Sequence, residues 1–199
     1  WNASAYATPR KRTTVSAYGW TTLGPTLYAH FVRAGRLLRS VEVGPLIDPG
    51  SGRKVLDYVA RGIADGAVVA TGGQRVLEET GGWYVEPTVL DLVPVDSAVA
   101  REEIFGPVLS VIPFDTVDDA LRLGNATEYG LGGAVWTRNV GTMLTMMHGI
   151  KAGKMWINSY GQSDPAVGFS GTKASGYGMK GGAQHIEGFL YEKSIFING

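Results

Sequence analysis

Apolar positions along the 199-residue chain switch repeatedly between a helical and an extended period. From Pro25 to Arg39, Leu27, Phe31 and Leu38 fall near one face of a predicted helix. Pro25 suits its first turn, and Arg33, Arg36 and Arg39 suit the negative end of its dipole. A second helix is predicted over 53–65, with Val55, Leu56, Val59, Ala60 and Ile63 as its stripe and Gly66 as its stop. A short buried strand over 67–70 should end at Gly72-Gly73, and 84–90 reads as extended around Pro87. Residues 107–114 predict a strand, because Val108, Leu109, Val111 and Ile112 make a nearly continuous apolar run. Thr116, with Asp119 three residues on, opens a helix that buries Val117, Ala120, Leu121 and Leu123. A strand over 133–137, a methionine-rich helix over 141–150, a strand over 154–158, a helix over 183–190 and a last strand over 194–197 complete the pattern.

This alternation predicts an α/β fold of three layers, α/β/α, around a mostly parallel sheet. Parallel sheets place their sites at the carboxyl ends of strands. That singles out Asn158, which ends the Met155-Trp156-Ile157 strand. The length suits one domain over 1–199.

Composition narrows the function. Lys plus Arg equals Asp plus Glu at 18 each, so there is no basic excess to hold nucleic acid or an anionic membrane. No apolar run approaches the roughly 20 residues that span a bilayer, and no signal pattern opens the chain, so a cytoplasmic location is expected. Zero cysteines exclude disulfides, thiolate metal sites and a cysteine nucleophile within these residues. His30, His148 and His185 lie too far apart in sequence for ordinary metal-ligand spacing, so no metal site is expected. Glycine is the one excess, 29 residues spread between periodic segments, which suits many tight turns. The chain starts at Trp1 and not at methionine, as a piece of a longer product would.

Several motifs carry little. Gly176-Tyr177-Gly178-Met179-Lys180-Gly181 has dinucleotide-type glycine spacing, but polar, turn-like residues precede it where a buried strand is required; a glycine-rich loop is the better reading. Asn2-Ala3-Ser4 and Asn125-Ala126-Thr127 fit the glycosylation triplet without any sign of secretion. By pattern alone, Glu102-Glu103 is a charged helix end, since adjacent carboxylates rarely converge on one substrate.

Arg101-Glu102-Glu103-Ile104-Phe105-Gly106-Pro107-Val108 nevertheless resembles the Glu-Glu-x-Phe-Gly-Pro-Val signature of aldehyde dehydrogenases. Val43 to Ile47, Gly82 to Val89, Asn125 to Leu131, Gly153 to Asn158 and Phe169 to Gly176 resemble further segments of that family, in its order. The resemblance covers residues 41–198 well and the first 40 weakly. It implies the substrate-side catalytic domain of an NAD- or NADP-dependent enzyme that oxidises aldehydes. On it, Glu103 resembles the carboxylate that takes the nicotinamide ribose, and Phe105 the aromatic beside the nicotinamide. Asn158 and Phe169 resemble residues at the substrate end of the tunnel.

Trp1 to Thr8 resembles the family's nucleophile segment, and there Ala7 stands in the cysteine's place. Alanine cannot attack an aldehyde, so the covalent step is lost. Met179-Lys180 stands where the family has Arg-Glu. The resemblance also implies that the nucleotide-binding half and the general base lie upstream. The leading expectation is a truncated or degenerate aldehyde dehydrogenase, a pseudoenzyme by itself, binding no cofactor alone and acting with an upstream NAD-binding half. The alternatives are a domain turned to non-redox binding of a small carbonyl compound or to acid–base chemistry, using Asn158, Tyr160, Asp164 and Glu103, and a non-catalytic assembly module. A homo-oligomer is expected, joined through a C-terminal strand within 192–199.

Overall fold

The computed structural model describes residues 43–199 and the backbone of a strand at residues 6–9. The predicted helix over 25–39 lies outside the described residues. The chain divides into two compact units, residues 1–123 and 124–199.

In the first unit, β1 (Tyr6–Pro9), α1 (Pro49–Ala64) and β2 (Val68–Thr71) are followed by β3 (Arg75–Val76), β4 (Tyr84–Val85), β5 (Thr88–Asp91), α2 (Ala98–Arg101), β6 (Val108–Phe114) and α3 (Val117–Gly124). Four strands form one sheet in the order β1-β6-β5-β2. β1 and β5 run parallel to β6, whereas β2 pairs antiparallel to β5, so the sheet is mixed. β3 and β4 form a separate antiparallel pair. The β2 ladder shifts register between Val69 and Thr71, a bulge at the edge of the described sheet.

α1 starts four residues before the predicted 53. Asp48 caps it, its Oδ1 accepting from the Ser51 N–H at 2.7 Å, and Pro49 occupies the first turn, where no N–H is needed. Its buried face also differs from the expected stripe: Gly52, Val55, Tyr58, Val59 and Gly62 point inward, while Ala60 and Ile63 are exposed. Gly52 is the reason for part of that rotation. A Cβ there would overlap the Trp83 indole, so the helix lies against the ring at a distance only glycine allows. Gly66, at φ 106°, stops the helix as expected.

The core gathers Val55, Tyr58 and Val59 of α1 with Val85, Leu90, Val99, Ile104, Val108 and Ile112. Leu90 is wholly buried. β2 is not the buried strand expected: Val68 is 52% exposed, because one side of the strand faces away from the core. The Thr116–Asp119 capping pair is present, with the Asp119 N–H donating to Thr116 Oγ1 at 3.1 Å.

The second unit contains β7 (Tyr129–Gly130), β8 (Gly132–Val135), α4 (Val140–Gly149), β9 (Lys154–Ile157), β10 (Phe169–Ser170), β11 (Thr172–Lys173), β12 (Met179–Lys180) and α5 (Gln184–Glu187). β8 and β9 pair in parallel, joined through α4, which Asn139 caps. β7 pairs antiparallel with β11, and β10 with β12. The predicted helix over 183–190 is reduced to the single turn α5. Residues 194–197 form no strand: Ile195, Phe196 and Ile197 are 69–95% exposed, and no described strand supplies the hydrogen bonds an extended segment needs. The α/β class holds, with helices interleaved among mixed parallel and antiparallel ladders.

Candidate functional site

The loop between α2 and β6 concentrates the chemistry of the first unit. Glu102 leaves α2 in an extended conformation, φ −99° and ψ 155°. Ile104 is buried, whereas Phe105 is 65% exposed and sits at φ 57°, in the left-handed region that costs a residue with a Cβ about 1–2 kcal/mol. Gly106 then rests on Val55 of α1, so closely that a Cβ there would collide with Val55 Cγ2.

The two adjacent glutamates have different environments. The Tyr58 phenol donates to Glu102 Oε2 at 2.6 Å, and Arg61 Nη2 lies 3.9 Å from Glu102 Oε1. Glu102 is therefore occupied by α1. The Glu103 side chain, by contrast, receives no hydrogen bond or ion pair from the described residues; only its backbone carbonyl is held, accepting from Lys54 Nζ at 3.3 Å. The loop thus turns alternate residues in opposite senses, leaving a carboxylate that can accept and an exposed aromatic ring two residues apart. A pair of adjacent hydroxyls and a planar heteroaromatic ring match that acceptor and surface set, so these residues fit the nicotinamide-ribose end of NAD or NADP. The glycine segment 176–181 does not fit the pyrophosphate end: it runs into β12 and not into a helix N-terminus, with Gly176 and Gly178 as positive-φ turn residues.

Asn158 and Phe169 belong to the second unit. Asn158 sits at φ 50°, and its side-chain amide closes on the Thr137 backbone: Oδ1 accepts from the Thr137 N–H at 2.8 Å and Nδ2 donates to the Thr137 carbonyl at 3.0 Å. This ties the end of β9 to the end of β8. Phe169 is half-buried in β10, with Lys154 Nζ 5.5 Å from its ring centre and 5.1 Å from that of Trp156. Tyr160 stacks at a tilt on Trp156, ring centres 5.0 Å apart. Asp164 caps its own turn by accepting from the Ala166 N–H at 2.8 Å. Ala7 lies in β1 opposite Ile112.

Two quoted motifs prove to be scaffold for each other. Asn125 Nδ2 donates to the Gly149 carbonyl at 2.8 Å, and its Oδ1 accepts from the Lys151 N–H at 2.8 Å. Lys173 Nζ donates to the carbonyls of Asn125 and Thr127, and the Gly130 N–H donates to Ser175 Oγ at 3.0 Å. The segments 125–131 and 169–176 are thereby fastened across the β7–β11 ladder. Sequence reasoning missed these polar clasps. The only signal was the density of Asn, Thr, Ser and Lys flanking glycines.

Among the described residues, no three His, Asp or Glu side chains gather as metal ligands, and no helix is long and apolar enough to cross a membrane. His185 Nδ1 accepts from the Gly181 N–H at 3.0 Å, a local clasp. A groove of about 420 Å³ lined by Leu92, Val93, Ile112, Phe114 and Asp119, among others, includes none of the predicted site residues.

Comparison with known proteins agrees with the loop. The model of the aldehyde dehydrogenase family matches residues 26–195. The chain is 39% identical over 160 residues to betaine aldehyde dehydrogenase of Agrobacterium fabrum, covering 80% of this chain and 32% of that protein. It is 38% identical over 155 residues to the mitochondrial benzaldehyde dehydrogenase of Antirrhinum majus, covering 78% and 29%. Among solved structures, a mutant of P. syringae AldA indole-3-acetaldehyde dehydrogenase in complex with NAD+ and IAA superposes with a TM-score of 0.72 at 42% identity, over 74% of this chain and 30% of that one. A mutant aldehyde dehydrogenase from Bacillus cereus superposes with a TM-score of 0.75 at 38% identity, over 81% and 33%. The chain spans about a third of the length of these relatives. With most of its residues matched by the family model and its signature loop folded around α1, the chain belongs to the aldehyde dehydrogenase family.

Proposed function

We propose that these residues form the substrate-side part of an NAD(P)-dependent, aldehyde-oxidising assembly and cannot transfer hydride by themselves. The observation that carries this reading is the loop 102–106, where Glu103 presents a carboxylate unengaged by described residues beside the exposed Phe105 ring. Glu103 accepts from the hydroxyls of the nicotinamide ribose, and Phe105 gives the ring an apolar face. The bound nicotinamide supplies the hydride acceptor. The family resemblance assigns Asn158 and Phe169 to the aldehyde. Ala7, at the position resembling the nucleophile's, has no group with which to capture the aldehyde covalently. The nucleotide-binding surface and general base come from sequence upstream of Trp1 or from a separate chain, and the assembly works in the cytoplasm.

Mixing the chain with the part of the P. syringae AldA protein that this chain does not match, the protein whose structure holds NAD+, and titrating NAD+ by calorimetry tests this reading. The mixture is expected to bind NAD+ more tightly than that part alone, and Glu103→Gln is expected to remove the gain. The chain alone should give no aldehyde-dependent NADH absorbance, and Ala7→Cys should not supply it. NADH production by the isolated chain, or binding indifferent to Glu103, refutes the reading.

The protein is also proposed to be a homo-oligomer that buries its last residues. Phe189, Tyr191, Phe196 and Ile197, on either side of Glu192-Lys193-Ser194, are each at least 79% exposed, apolar surface that water disfavours.

A further inference from the structure

We propose that Lys54 and Tyr58 of α1 are positioning residues that hold the loop 102–106 in the conformation presenting Glu103 and Phe105. The inference rests on the functional reading of those two residues but concerns a different property, the fastening of the loop.

The pattern begins in α1. Lys54, Val55, Tyr58 and Arg61 are spaced so that their side chains share one side of the helix. Each meets the loop or a group that does. Lys54 donates to the Glu103 carbonyl, Val55 receives Gly106, Tyr58 donates to Glu102, and Arg61 lies near the same carboxylate. Lys54 Nζ and the Arg61 guanidinium also lie 5.6 and 5.1 Å from the centre of the Tyr58 ring, which keeps the row together. These loop residues are more than 40 positions away in sequence, so the fastening is tertiary.

The loop needs it. Phe105 at φ 57° has left the extended conformation its neighbours prefer, and Phe, unlike Asn or Gly, gains nothing locally there. Ile104 is buried and anchors one point. Tyr58 and Lys54 fix the two residues before it, and Gly106 on Val55 fixes the residue after Phe105. Among the described residues, nothing holds the Glu103 carboxylate, and the Phe105 ring is largely exposed. A cluster serving stability alone would have no reason to spare those two and grip everything else.

The test uses the isotopically labelled chain and needs no ligand. The Cα and Cβ chemical shifts and the amide–Hα coupling of Phe105 report its φ. The wild-type chain is expected to show the left-handed signature. Tyr58→Phe and Lys54→Met should each move Phe105 toward extended values, the double variant should complete the move, and Lys54→Arg, which keeps a donor, should retain the wild-type signature. Unchanged shifts at Leu90 and Val99 show that each variant stays folded. A double variant with wild-type Phe105 shifts overturns the proposal, as does a wild-type chain with Phe105 extended, or a Lys54→Arg variant as perturbed as Lys54→Met. Glu103→Gln should leave all these shifts in place; a wild-type chain with the left-handed Phe105 signature that adds nothing to dinucleotide binding counts against the functional reading and not against the fastening.

Discussion

Gly106→Ala is the smallest change that challenges the seat of the signature loop. Gly106 has no positive φ, so alanine is allowed by its backbone. The obstacle is Val55: the new methyl would lie 3.1 Å from Cγ1 and closer still to Cγ2, inside the roughly 3.5–4.0 Å at which carbon atoms attract. Val55 is only 1% exposed, so it cannot swing into solvent. Overpacking of this kind costs about 1–3 kcal/mol, and the reduced freedom of the unfolded chain returns about 0.4–1 kcal/mol. A net loss of about 1–2 kcal/mol follows. Val55→Ala alone removes two buried methyls and should cost about 2–3 kcal/mol, from about 0.8 kcal/mol per methyl plus the cavity. In that background the two closest atoms are gone and only the Cβ of residue 55, at 3.3 Å, still crowds the new methyl, so adding Gly106→Ala should cost little further. Urea unfolding of the four proteins completes the cycle. A coupling of at least about 1 kcal/mol is expected, read as midpoint shifts of roughly 0.5–1 M. Additive losses would refute the reasoning, since they would mean Gly106 and Val55 do not touch.

Asn158→Ala loses both hydrogen bonds to Thr137 and leaves a Cβ at φ 50°, while Asn158→Gly loses the bonds but relieves the strain; thermal melts should rank wild type above Asn158→Gly, and that above Asn158→Ala, with about 1–2 kcal/mol lost for the bonds. Hydrogen bonds lower the carboxyl pKa of Asp48, chiefly from the Ser51 N–H, and that of Asp119, chiefly from the Thr116 hydroxyl. A depressed folded-state pKa gives stability present above the unfolded value near 3.8 and lost as pH falls through the lower folded value, so acid titration in that window should destabilise wild type more than the Asp48→Asn, Asp119→Asn double variant. Light scattering at micromolar concentration should give a dimer mass that deletion of residues 188–199 reduces to a monomer; a monomeric intact chain, or a dimer indifferent to the deletion, contradicts the oligomer.

What could be read from the chain beforehand divides along physical lines. The β6 run and the Thr116 cap depend on residues close in sequence, and both lie where expected. The start of α1 was legible in principle in Asp48-Pro49, but Gly50 and Gly52 read as turn punctuation. The inward face of α1 was not legible, because hydrophobic periodicity cannot register a glycine chosen for the indole laid against it. The segment 194–197 has strand-forming residues, yet a strand requires a partner that composition cannot reveal. The family signature singled out Glu103 and Phe105. That Glu102, and not Glu103, is engaged by Tyr58, 44 residues away, needed the fold. Asn158 was conspicuous at its strand end, but only coordinates show its amide committed to Thr137.

The register shift in β2 has a consequence for how this protein behaves in concentrated solution. β2 ends the described four-stranded sheet, Val68 faces water, and the segment Ala67–Ala70 is uncharged: the ingredients of a template on which an extended strand from another molecule could grow into a fibril. The bulge between Val69 and Thr71 bends and twists the strand, which disfavours the even, in-register pairing an added strand needs. Removing Ala70 would restore a straight ladder at that border, and with it a surface on which fibrils can nucleate.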